Sequence, residues 1–210
     1  MAPIKSYELV TTNLKRTKAE LRDSNGTAAY EVDLSFTTTD MRSVKPGRHG
    51  IILQTPSTSS TTNQQILGTC DFALSSMTTP IHVGFGDTVA SPDTVIWEDI
   101  HIREVAKQSG FELSIDLGGG IGREVFDWKR TSEIESKSIL SKKMDFLHLK
   151  MVERDSQKVV ARFAHNFMFG SKRGTFEFEE FEGGSDWDNI VLLSGLAVLE
   201  YMRKSQGWSW

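Results

Sequence analysis

Apolar and polar residues alternate with a period of two through much of the chain. Tyr30, Val32, Leu34 and Phe36 alternate with Glu31, Asp33, Ser35 and Thr37, and Phe111, Leu113, Ile115 and Leu117 with Glu112, Ser114 and Asp116. Successive side chains of a strand point to opposite faces, so each pattern predicts a strand with one buried and one wetted side. Turn signals punctuate these runs. Asn25-Gly26 lies between Lys15–Arg22 and Thr27–Phe36, and Asn-Gly is a hairpin signal because both residues tolerate positive φ. Gly118–Gly122 separates Phe111–Leu117 from Arg123–Arg130, and Arg154–Gln157 separates Phe146–Val152 from Lys158–His165. Gly170–Gly174 leads into Thr175–Phe181. Roughly nine to twelve strands are expected before residue 182. No repeat or low-complexity linker divides the chain, so residues 1–210 read as a single domain. Pro56–Gln64 and Thr131–Lys143 are polar and read as mobile loops.

The end of the chain follows a different pattern. Ser185-Asp186-Trp187-Asp188 has an acid three residues after a serine, a box-like helix start, and a helix is predicted over about 187–204. At 1.5 Å per residue, Asp188 to Lys204 makes a rod of about 25 Å. Acids at its start and bases at its end suit the helix dipole. Ile190, Val191, Leu192 and Leu193 are consecutive and so cover the whole circumference. A helix that is apolar all round must be buried all round. The Ile190–Met202 stretch is interrupted by Ser194, Gly195 and Glu200 and falls short of the ~20 apolar residues of a membrane span. In a chain otherwise made of strands, the natural place to bury it is inside a closed barrel.

Composition agrees with a globular β protein. The chain has 210 residues, 38% hydrophobic and 25% charged, which excludes disorder, collagen-like sequence and a coiled coil. With 24 Lys and Arg against 28 Asp and Glu, the net charge is −4. Nucleic-acid binders gain affinity by neutralising phosphates, and this balance argues against that class. Cys70 is the single cysteine, so neither an intramolecular disulfide nor a cysteine-based zinc cluster can form. The first residues lack an apolar run, and an intracellular setting is expected, cytoplasmic or peripheral to a membrane.

The candidate catalytic groups have blander explanations. Cys70 would need His82 or His101 as its base, but its strand-like neighbourhood, Ile66–Phe72, points to the core. His49, His82, His101, His148 and His165 show no metal-ligand spacing and read as solvated or capping residues. Gly118–Gly122 has Arg123 where a third phosphate-loop glycine belongs and lies between two strands, so it is a hairpin turn. Ser194-Gly195 lies in the apolar helix and reads as a close-packing point against the barrel wall. Glu177, Glu179, Glu180, Glu182, Asp186 and Asp188 lack calcium-loop spacing and read as a wetted face and a helix start. Trp97, Trp128 and Trp187 are assigned to the core, and Trp208 and Trp210 to a barrel end or an interface. No catalytic residue, metal or cofactor is expected.

Basic pairs recur at predicted turns and strand ends: Lys15-Arg16, Lys129-Arg130, Lys142-Lys143, Lys172-Arg173 and Arg203-Lys204, with Arg42, Lys45, Arg48 and His49 as a further cluster. Gathered at one rim they would form a patch for anionic headgroups; scattered, they keep the chain soluble. Periodicity gives the face a residue takes, not where strand ends converge, so both readings stay open.

Several stretches carry a family resemblance. They are His82–Asp87, Val95–Asp99, Phe126–Thr131, Val159–Phe163 and Gly174–Phe178, in that order, ending with the Ile190–Lys204 helix. The chain resembles the tubby C-terminal-like superfamily, which includes tubby proteins, phospholipid scramblases and plant LURP-one-related proteins, and within it looks most like fungal members. The resemblance implies a mainly β fold: a closed antiparallel β-barrel of about twelve strands enclosing a hydrophobic C-terminal α-helix. It also implies a non-enzymatic domain that binds phosphoinositides or other anionic phospholipids. No scramblase calcium, lipid-anchor or proline-rich segment is present, and no tubby headgroup residue maps onto a particular position. The candidate lipid-binding residues are therefore the chain's own basic pairs, Lys129, Arg130, Lys142, Lys143, Lys172 and Arg173. The alternatives are a protein-interaction scaffold using the two polar loops, or an enzyme whose site linear motifs do not show.

Overall fold

The computed structural model describes residues 3–15, 17–34, 49–57, 64–72, 80–103, 110–118, 120–131, 148–166 and 170–205. Twelve strands form one closed barrel in which each pairs with its neighbours in the chain and the first pairs with the last. They are β1 (Lys5–Thr11), β2 (Lys18–Arg22), β3 (Ala28–Asp33), β4 (Ile51–Gln54), β5 (Ile66–Phe72) and β6 (Ile81–Phe85). The barrel continues with β7 (Ile96–Ile102), β8 (Gly110–Asp116), β9 (Arg123–Arg130), β10 (Leu149–Glu153), β11 (Val159–His165) and β12 (Lys172–Phe178). All pairings are antiparallel, and β1 closes on β12 from Lys5 opposite Phe178 to Val10 opposite Lys172. The inward residues are the apolar half of each alternation, as in Phe111, Leu113 and Ile115 of β8.

Strand ends depart from the expected bounds in instructive ways. β3 ends at Asp33; Leu34 stays buried beyond it, and Ser35–Thr37 lie outside the described residues. At the β2–β3 hairpin Gly26 takes a φ of 79° while Asn25 does not adopt positive φ. The Asp23 carboxylate accepts the N–H groups of Asn25 and Thr27, both at 2.9 Å, and the β2–β3 register slips beside it between Leu21 and Arg22. An aspartate-held loop thus replaces the two-residue turn. β12 begins at Lys172 and ends at Phe178, earlier than the expected Thr175–Phe181. Of the two polar loops, residues 58–63 and 132–143 lie outside the described residues.

A barrel of about eight strands can be filled by its own side chains, whereas larger ones enclose a lumen. Here the lumen holds α1 (Trp187–Ser205). Every residue of the helix from Ile190 to Glu200 is buried. It touches the wall on several sides. A Cβ on Gly68 of β5 would lie 2.6 Å from Leu193, and one on Gly195 would lie 2.6 Å from Phe176 of β12 and 3.1 Å from Trp128 of β9. Ser194 Oγ accepts the indole N–H of Trp128 at 3.0 Å and donates to the Ile190 carbonyl at 2.6 Å. Tyr201 packs edge-on against Phe111 of β8, and Trp187 packs against Phe126 of β9. The close-packing role expected of Ser194-Gly195 is therefore what the structure shows.

Asp188 lies in the first turn of α1, as expected of an acid at the helix start, and it also reaches across to the barrel wall. Its carboxylate takes the Tyr7 hydroxyl at 2.7 Å and the Lys5 ammonium, which ties the head of α1 to the start of β1. Burial, and after it the same contact, push the Tyr7 phenol well above its usual pKa. Trp128 and Trp187 are buried as expected, but Trp97 is half-exposed: it lies across Gly84 on the outer wall, opposite that glycine in the β6–β7 register. Cys70 is fully buried. Among the described residues no helix is long and apolar enough to cross a membrane.

Leu193→Asp buries a charge among apolar groups and is expected to prevent folding, read as loss of the soluble, cooperatively melting species. A soluble mutant with a cooperative melt would contradict enclosure of the helix. Ser194→Ala removes the acceptor of a buried indole N–H and is expected to cost about 1–3 kcal/mol in urea unfolding. Wild-type stability in that variant would mean that Ser194 is not the partner that matters to Trp128.

Candidate functional site: the basic mouth of the barrel

Consecutive antiparallel strands send alternate connections to opposite ends of a barrel. The odd-to-even connections therefore share one end. α1 starts at the other end, beside Lys5, and runs through the lumen to finish at this one. The described members of the basic pairs belong here. Lys15 lies between β1 and β2, Lys129-Arg130 ends β9, Lys172-Arg173 begins β12, and Arg203 is in the last turn of α1. The described residues of the connections at this end carry Lys15 and Arg103 and no Asp or Glu. The described residues of the connections at the other end carry two Lys and Arg against eight Asp and Glu. A chain with net negative charge thus has one basic pole. Lys142 and Lys143 belong to the β9–β10 connection and lie outside the described residues, as do Trp208 and Trp210.

The four described candidates divide into two kinds. Lys129 and Lys172 sit on the outer wall, where Lys129 lies 3.3 Å from the Asp127 carboxylate and Lys172 pairs with Glu8. Arg130 and Arg173 belong to the inner face. Arg130 is two residues beyond the fully buried Trp128 and opposite the fully buried Leu149, so it takes the inward side of β9 at the mouth. Its Nε and Nη2 are shut off from solvent and meet no hydrogen-bond acceptor among the described residues, and burial holds its pKa below the usual guanidinium value.

Arg173 reaches the inside through a bulge. Strict alternation from Phe178 and Phe176 would turn Lys172 inward and Arg173 outward. The register instead jumps between Leu9 and Val10, which face Gly174 and Lys172, and leaves Arg173 as the extra residue. Arg173 is buried and lines a small cavity with Leu9, Thr11, Leu196, Leu199 and Glu200. Glu200 is itself buried in α1, and Arg203 one turn on donates to its carboxylate through Nε at 2.8 Å.

Two histidines complete the mouth and correct the expectation that the histidines are solvated. His148 is buried, and its Nδ1 accepts the backbone N–H of His165 at 3.0 Å. His165 has its pKa pushed down to about 4, first by burial and then by the nearby His148 and Arg173. It is therefore neutral near pH 7. His82 and His101 do not meet as a pair: His82 Nδ1 lies 2.5 Å from Asp99 on the outer wall, and His101 sits opposite Glu112. Of the acidic residues, Glu179 pairs with Arg162 and Asp188 with Lys5. Among the described residues no group of His, Cys, Asp and Glu is arranged to hold a metal ion. A groove of about 220 Å³ between β2 and β4 is lined by Lys18, Glu20, Glu31 and Asp33. Its Glu31 accepts hydrogen bonds from Ser57 and Gln64 and so tethers the two ends of the β4–β5 connection.

The fold and its mouth define a closed, helix-filled β-barrel with one basic end. No family model matches the chain, and no curated protein sequence matches it. A solved structure, the X-ray structure of a protein from Arabidopsis thaliana, AT5G01750, is similar at a TM-score of 0.42 and 12% identity, covering 93% of each chain.

His165 makes stability depend on pH. Its folded pKa of about 4 lies below the ordinary value of 6.5, so the unfolded chain binds the proton first. This contribution is fully present above pH 6.5 and is lost as pH falls towards 4, the loss reaching roughly 2 kcal/mol at pH 5. Urea unfolding at pH 7 and pH 5 is expected to show that loss, and His165→Gln to flatten it. An equal pH dependence in the two proteins would mean that His165 is not held neutral.

Proposed function

We propose that this chain is a non-enzymatic tubby-like domain that docks reversibly on anionic phospholipid headgroups, phosphoinositides included, through the basic rim at the C-terminal end of α1. The observation that carries this reading is the convergence of the basic strand ends on one pole of a barrel whose other pole is acidic. Each Lys or Arg near an anionic surface contributes about 1 kcal/mol, so a handful suffices for reversible docking of an otherwise acidic protein. The charge asymmetry orients the approach: the acidic pole is repelled while the basic one is drawn in. The closed barrel around a buried helix is also the architecture that the tubby-like resemblance implies. The partner is then a membrane surface, and the setting peripheral and intracellular.

A protein partner is the second reading. It is favoured by Val89, Ile96, Trp97 and Ile121, large apolar side chains left exposed on or near the opposite pole.

Co-sedimentation with phosphatidylcholine vesicles, alone or containing phosphatidylserine or phosphatidylinositol phosphate, separates these. The full chain is expected to pellet with the anionic vesicles only and less at physiological salt, since the Debye length there is about 8 Å. Lys15→Glu with Lys129→Glu is expected to weaken pelleting by about tenfold or more, because two favourable charges become two unfavourable ones. Absence of pelleting at low as well as physiological salt would discard the lipid reading and turn attention to the apolar pole.

A further inference from the structure

We propose that Arg130 forms a recessed subsite inside the mouth of the barrel that takes a phosphate monoester. The subsite deepens the lipid-docking reading and rests on it for the source of the phosphate. The first observation is a contrast among the described arginines. Arg22, Arg103, Arg123, Arg154, Arg162 and Arg203 each meet a carboxylate. Arg130 meets none among the described residues, although its Nε and Nη2 are both sealed from water without an acceptor. Guanidinium nitrogens left in that state are costly, and a native structure tolerates them where something outside the chain completes them.

The second observation is which atoms lack an acceptor. Nε and Nη2 form the side-on pair of parallel N–H donors that grips two oxygens of one anion, the geometry for which arginine is suited to phosphate. The third is the charge elsewhere at the mouth. Arg173 lies on the inner face of β12, and its charge helps to keep His165 of β11 neutral. A neutral imidazole adds no third positive charge there. The carboxylate of Glu200, near this end of α1, is engaged by Arg203. Such a mouth suits an anion of more than one charge over a singly charged carboxylate, and a phosphate monoester carries about −1.5 to −2 near neutral pH.

Recess adds selectivity. A phosphodiester such as that of phosphatidylserine is flanked by ester groups on both sides and stays at the bilayer plane. A terminal monoester projects and can enter the mouth. Rim electrostatics alone would not separate the two at equal charge.

The test uses the full chain, Arg130→Gln, and Lys129→Gln on the outer wall next to it for comparison. Inorganic phosphate is titrated calorimetrically and by its effect on Tm, and pelleting is compared on phosphatidylcholine vesicles containing phosphatidic acid or phosphatidylserine at matched total charge. The wild type is expected to bind phosphate saturably, to gain Tm with it, and to prefer phosphatidic acid. R130Q is expected to bind phosphate roughly ten- to hundredfold more weakly, the loss of a charge-assisted pair, with an unliganded Tm no lower than wild type. It should keep rim-driven pelleting while losing the preference. K129Q removes a rim charge and should weaken pelleting on both vesicles while keeping the preference. Equal phosphate binding and equal vesicle preference in R130Q and wild type would overturn the subsite and leave the rim reading standing. Phosphate binding that depends on Arg130, without pelleting of the wild type on any vesicle, would support the subsite with a soluble phosphate as its source and sink the lipid reading. A large fall in Tm for R130Q, with no phosphate response in the wild type, would make Arg130 a structural residue and overturn the proposal.

Discussion

A helix that is apolar on every side can be kept from water only by a wall on every side. That constraint organises this molecule. Ile190 to Leu193 leave α1 no face for solvent, and each such side chain is worth about 1.5–3 kcal/mol once buried. Twelve strands make a lumen wide enough for a helix, whereas side chains alone would leave it underfilled. The fit is tight where it must be. Gly68 and Gly195 occupy places where a methyl group would collide with Leu193 or Phe176, and the Trp128–Ser194 hydrogen bond sets the helix against β9. Asp188, held by Tyr7 and Lys5, ties the helix start to the first strand, and so joins the last element of the fold to the first.

The charge distribution follows from the same closure. An up-and-down barrel with an even number of strands sends its connections to the two ends by turns, so residues far apart in sequence share a pole by parity alone. Lys15, Lys129, Lys172 and Arg203 share one in this sense, although no local pattern links them. The helix contributes too, because it starts at the acidic pole and ends at the basic one, with Arg203 in its last turn. Within the basic pole, outer-wall lysines paired with carboxylates surround inner-face arginines, Arg173 buried and Arg130 with two of its nitrogens sealed. The first kind suits diffuse attraction to a charged surface, and the second suits recognition of a particular group.

What the chain's own pattern reveals divides along the range of the forces involved. Strand alternation, the Gly118–Gly122 turn and the all-round apolar helix are set by neighbours two to four residues apart, and each was legible. The core placement of Trp128, Trp187 and Cys70 and the packing role of Ser194-Gly195 follow from the same periodicities. Trp97 misled because an aromatic in a strand is ordinarily core; here Gly84 across the register opens a flat place on the outer wall for its ring. Asp188 stands in the first turn of the helix, as its place in the sequence implies, but its hold on two groups of β1 is a contact across the fold that no local pattern marks.

The mouth was the least legible part, and for a physical reason. Alternation along β12 assigns Lys172 to the inside and Arg173 to the outside, and only the bulge against β1, a mismatch between the first and last strands of the barrel, exchanges them. His148 and His165 carry no spacing that marks them; a backbone-to-side-chain bond between β11 and the residue before β10 joins them inside the fold. Sequence by itself determined the elements and the buried helix, because helix and strand periods are local and burial of a fully apolar segment is compulsory. Tertiary structure alone decided which ends meet, which basic side chains turn inward and where the positive pole lies, because register and closure depend on pairing between distant strands.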